Sequence, residues 1–130
     1  MFKRLMTAAA ALTLTAGAAR AQEAPPVLSV DDSLICAGLA YAQSTLPENA
    51  GYAEGVQAYQ EMVRVFLRRA EILAAREGKG TDGHVERAAE VADTLLGQVN
   101  AAADASGRYA VIADWQPIED LCIAGGREPA

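Results

Sequence analysis

Two cysteines and a single histidine are the first side chains in this sequence to invite a chemical reading. Cys36 and Cys122 make up the whole cysteine complement. They lack the Cys-x-x-Cys spacing that lowers a thiol's pKa and any metal-type spacing, so the pair reads as a structural disulfide formed in an oxidising compartment. A bridge closing so long a loop contributes about 4–5 kcal/mol in the chain-entropy model, comparable to the net stability of a small domain. His84 stands alone beside an expected helix start, in His84-Val85-Glu86, and reads as a surface or capping residue. With no His-Glu-x-x-His spacing, no cluster of soft ligands and no Met-rich tract, no metal site is expected. The absence of Cys-x-x-Cys-His speaks against covalent haem.

Gly78-Lys79-Gly80-Thr81-Asp82-Gly83 spells the letters of a dinucleotide-binding glycine motif. That chemistry needs a strand before the glycines and a parallel sheet beside them. Here the glycines follow a helical pattern, so they read as a turn between helices. Asp31-Asp32 and Glu119-Asp120 are paired carboxylates, but adjacent acids near helix starts are accounted for by the helix dipole. The serines, Ser29, Ser33, Ser44 and Ser106, sit in no nucleophile elbow and have one histidine to serve them. We therefore expect no catalytic residue, no cofactor and no metal. Tyr41, Tyr52, Tyr109 and Trp115 form a candidate binding surface at one end of the fold, the competing reading being that they fill the core around a short last helix.

The elements that would position these residues are helical. Tyr52, Val56, Tyr59, Val63, Phe66, Ala70 and Leu73 recur at alternating steps of four and three, which predicts a long amphipathic helix from Tyr52 to about Glu77. Met62, Leu67 and Ala74 widen its apolar stripe, and the rest of the chain is expected to pack against it. Its polar side, with Glu61, Arg64, Arg68 and Glu71, reads as a solvated face. Before it, Ser29 is placed to cap a helix carrying Ile35, Leu39, Ala42 and Leu46 on one face, ended by Pro47-Glu48-Asn49. After it, Val85, Ala88, Ala92, Leu95, Val99 and Ala102 predict a third helix from Thr81 or Asp82 to about Ala105, interrupted by Ser106-Gly107. Arg108 to Ala113 is ambiguous between helical turns and an extended connector. Asp114 then reads as the N-cap of a short last helix bearing Trp115, Ile118, Leu121 and Cys122, closed by Gly125-Gly126.

Met1 to Ala21 has the form of a secretory signal peptide. Lys3 and Arg4 begin it, Leu5 to Ala19 is an uncharged apolar run, and Ala19-Arg20-Ala21 is a cleavage pattern that would leave Gln22 as the new N-terminus. The run is short for a membrane span, and no cysteine follows it to carry a lipid anchor. Its composition is of bacterial type, which makes the periplasm the first expectation and the medium the second. Gln22 to Leu28, with Pro25-Pro26, reads as a flexible lead-in, residues 29–126 as one helical domain, and Arg127 to Ala130 as a frayed tail.

The totals agree with this division. A chain of 130 residues with 52% apolar and only 5% aromatic side chains suits close-packed helices better than a sheet sandwich. The formal net charge of −6 becomes −9 once Lys3, Arg4 and Arg20 are removed, leaving eight basic against seventeen acidic residues. Such a surface disfavours nucleic acid and anionic lipid and suits a basic partner. The expected fold is all-α, a small three- to four-helix bundle stapled by Cys36–Cys122. The expected function is that of an exported, non-catalytic accessory module that binds another protein, itself a monomer or weak homodimer. The alternative is a carrier holding a small apolar ligand between helices.

Overall fold

Helix α1, Val30–Thr45, is the centre of the molecule. The computed structural model describes residue 24 and residues 26–127, so the expected signal peptide and the last residues of the tail lie outside the described residues. Ser29 starts α1 with a capping box: its Oγ accepts from the Asp32 N–H and the Asp32 carboxylate accepts from the Ser29 N–H, each at 3.0 Å. From Ser33 to Ala40 every residue is buried. That stretch, built largely from Ala, Gly and Leu, presents little polar surface in any direction, and its neighbours cover it. Leu46 caps its end, and the 3-10 turn Pro47–Asn49 follows. There Asn49 Nδ2 donates to both the carbonyl and the side chain of buried Gln43 at 2.9 Å.

The long helix α2, Ala53–Arg76, lies along one flank of α1, and α3, His84–Asn100, along another. The expectation that α2 organises the chain is thus corrected. A single apolar stripe marks a helix with one covered face, whereas α1 is covered on every side from Ser33 to Ala40, beyond the face that Ile35, Leu39, Ala42 and Leu46 mark. Gly78, at φ +71°, ends α2 in a Schellman motif, with Lys79 N–H on the Ala74 carbonyl and Gly78 N–H on the Ala75 carbonyl. The glycine-rich stretch is therefore the turn between α2 and α3. Val91, Ala92, Leu95 and Val99 of α3 pack into the core.

Beyond Asn100 the structure departs from the periodicity. Helix α3 stops short of Ala105 because Asp104 caps a new helix, its Oδ1 accepting from the Gly107 N–H at 2.8 Å. Arg108 to Ala113 belongs to that helix, α4, which spans Ala105–Ala113 and contains Ser106-Gly107 in its first turns. Asp114 is its C-cap, and Trp115 takes the N-cap position of α5, Gln116–Gly126. No strand occurs among the described residues. The Cys36–Cys122 disulfide joins α1 to α5 across 86 residues of chain, with both cysteines buried. Leu28 also belongs to the core: a Cβ on Gly125 would come within 2.6 Å of its side chain. The folded unit thus begins one residue before the expected cap, and Gly125 serves as a contact surface within α5.

Candidate binding groove

Helices α2 and α3 each lie against α1 but scarcely meet each other. Between them runs an open groove of about 340 Å³ with Ala37 and Tyr41 of α1 as its floor. Val63 and Leu67 line the α2 wall, and Val85, Ala88, Ala89 and Asp93 the α3 wall. Small side chains on α1 and α3 keep it hollow. Tyr41 is 49% exposed and Val85 64%, so apolar surface faces solvent here. Toward the α2–α3 turn the groove continues into a depression of about 440 Å³ that shares Leu67 and Val85 and ends at Thr81 and His84.

The two rims differ in charge. On α2, Arg64 pairs with Glu61 at 2.5 Å and Arg68 with Glu71 at 2.8 Å, so the arginines are neutralised within their own helix. On α3, Asp93 lines the groove, and Glu86, seven residues before it, lies on the same face of the helix just outside the lining; both are exposed. Neither makes an ion pair among the described residues. Arg87, the basic residue between them, turns away to Asp31 of α1 with Nε on Oδ1 at 2.9 Å. The α3 rim is thereby left acidic.

Of the aromatics singled out from sequence, Tyr41 alone lines this groove. Tyr52, just before α2, and Tyr109 on α4 are exposed, outside its lining. Trp115 does not belong to a surface at all: it is 1% exposed and part of the core. Its position at the α4–α5 junction places the indole under the short helices, where its area is covered. His84 stands half-buried at the groove's end. Among the described residues no group of His, Cys, Asp and Glu is arranged to hold a metal ion.

A polar contact lies beneath α2 that no periodicity or motif signals. Tyr59 Oη donates to Glu119 Oε1 at 2.6 Å, and Glu119 is buried. Burial, and then the adjacent carboxylate, raise the Tyr59 pKa well above the ordinary tyrosine range. The adjacent acids of α5 therefore part company: Glu119 faces inward and Asp120 outward, where it accepts from Gln116 Nε2 at 2.8 Å. Only the packing of α2 on α5 brings Tyr59 and Glu119 together, which no local pattern encodes.

No family model, no curated protein and no solved structure matches this chain. No helix among the described residues is long and apolar enough to cross a membrane.

Proposed function

We propose that this chain is an exported, non-catalytic accessory protein that binds an envelope protein by taking one of its helices into the groove over α1. The observation that carries this reading is the open apolar trough between α2 and α3, floored by Ala37 and Tyr41. Two flanking helices on one central helix leave the place of a further bundle helix empty, and an amphipathic helix laid in such a groove is a recurring mode of recognition. The signal-peptide pattern of residues 1–21 and the buried disulfide support the periplasm as the site of action, with the medium as the alternative.

A photo-crosslinking residue at Ala89, introduced in the producing cell, tests this. One stoichiometric protein adduct, lost when Leu67→Gln is added and absent when the crosslinker stands at Tyr109, is the expected result. Adducts equally abundant at both positions would remove the reading. A second reading, a small apolar ligand in the same groove, draws on Tyr41 at its floor. The open top counts against it, because ligand sites enclose most of the ligand's surface. Native mass spectrometry showing a fixed small added mass would decide for the ligand.

A further inference from the structure

We infer that the groove selects a basic amphipathic helix, one whose apolar stripe enters between α2 and α3 and whose lysines or arginines lie along the α3 edge. This rests on the docking function proposed above and adds the chemistry of the partner. The apolar floor and walls demand an apolar stripe, and the charges demand its flank. Glu61 and Glu71 already satisfy Arg64 and Arg68, so the α2 rim offers no net charge. Asp93 lines the groove, Glu86 lies two helical turns before it on the same face of α3, and Arg87 between them is engaged with Asp31. An incoming helix with basic residues at the same spacing meets both carboxylates at once. A second copy of this chain fits poorly, because the chain after Ala21 carries a net charge of −9 from eight basic and seventeen acidic residues and repels itself. The contact spans only Val63 to Glu71 and Val85 to Asp93, about two and a half turns of a helix, so binding is of the transient class.

The test uses the disulfide-intact chain from Gln22 onward and two synthetic fluorescein-labelled helices of about sixteen residues, roughly four turns. Both carry the same Leu/Ala stripe; one has lysines seven residues apart on its flank, the other glutamates. Anisotropy at low salt should show the lysine helix binding about tenfold or more tightly than the glutamate helix, with the gap closing as salt rises. The Glu86→Lys/Asp93→Lys variant should reverse the preference. Ala89→Trp, which fills the groove from an exposed position, should abolish binding of the lysine helix. Equal binding of both helices, each blocked by Ala89→Trp, overturns the charge selection while leaving the docking function in place. Lysine-helix binding that ignores Ala89→Trp overturns the inference by placing the contact elsewhere on the acidic surface. A concentration-dependent dimer in light scattering, dissolved by Ala89→Trp, assigns the groove to a second copy and overturns it too. If neither helix binds and the crosslinker at Ala89 captures nothing, inference and docking function fall together.

Discussion

Gly38 of α1 and Val91 of α3 approach so closely that a Cβ on the glycine would stand 2.6 Å from the Val91 Cβ. The same atom would lie 2.6 Å from the Ala88 carbonyl, so backbone as well as side chain blocks it. This contact seats α3 on α1, and it fixes one wall of the groove. Gly38→Ala should therefore destabilise the fold by about 1–3 kcal/mol despite alanine's better helix propensity. Gly97→Ala is the control: Gly97 lies within α3 and has open space where a Cβ would go. That change should be neutral or stabilising by up to about 1 kcal/mol. Urea midpoints of the two variants check both signs.

The disulfide ties α5, near the end of the domain, to α1 near its start. Helix α4 has no fully buried residue, while α5 buries Ile118, Glu119, Cys122 and Gly125. The Cys36→Ser/Cys122→Ser variant should lose about 4–5 kcal/mol in the chain-entropy model. A denaturant titration of this variant beside the oxidised parent measures the difference. A loss below about 1 kcal/mol would mean that α5 is held by its packing alone.

Much of the architecture is legible in the sequence because helix signals are local. Ser29 and Asp32 announce the start of α1, and Gly78 announces the end of α2. The Cys36–Cys122 pairing follows from there being two cysteines. What could not be read is which helix stands in the middle: Ile35, Leu39, Ala42 and Leu46 mark one face of α1, but the small residues between them are buried as well, so every residue from Ser33 to Ala40 is covered. Asp104 as a cap was masked by the alanines around it, which continue the apolar pattern of α3 past its end. The groove was legible only as small residues on stripes: Ala37, Ala88 and Ala89 leave it hollow only because α2 and α3 diverge over α1. Trp115 shows the same limit, since an aromatic suits a surface anchor and a core alike until its neighbours are known.

Tyr59 and Glu119 give the fold a sensitivity to alkali. Burial and the carboxylate hold the phenol in its protonated form, so its folded pKa lies above the unfolded value near 10. A raised pKa means that the folded state keeps the proton longer than the unfolded chain does. The pair's contribution is therefore complete below about pH 10 and is lost as pH rises above that value toward the folded pKa. Tyr59→Phe should lower stability at neutral pH by about 1–2 kcal/mol, leaving a buried carboxylate without its donor. The variant should also show a flatter decline of stability above about pH 10. Chemical denaturation at a series of alkaline pH values compares the slopes; equal slopes would show that Tyr59 ionises alike in both states.

Arg108 and Glu48 secure the other end of the molecule, and their effect is on local opening. Arg108 Nε donates to Glu48 Oε2 at 2.6 Å and Nη2 to Oε1 at 3.0 Å, while Nη1 reaches Asn100 Oδ1 at 3.0 Å. One guanidinium thus ties α4 both to the 3-10 turn after α1 and to the end of α3. The Arg108 hydrogen bonds hold the Glu48 carboxyl below its ordinary pKa. A lowered pKa means that this contribution is present above the unfolded carboxylate range near 4.3 and is lost as pH falls through the folded value. Because α4 contributes no fully buried side chain, the loss should appear there first, as faster amide exchange across Ala105–Ala113 with little change in α1. Glu48→Gln should reproduce that faster exchange at neutral pH and remove its acid dependence. Hydrogen exchange read by mass spectrometry, segment by segment, checks this, and uniform acceleration over all helices would show instead that the pair supports the fold as a whole.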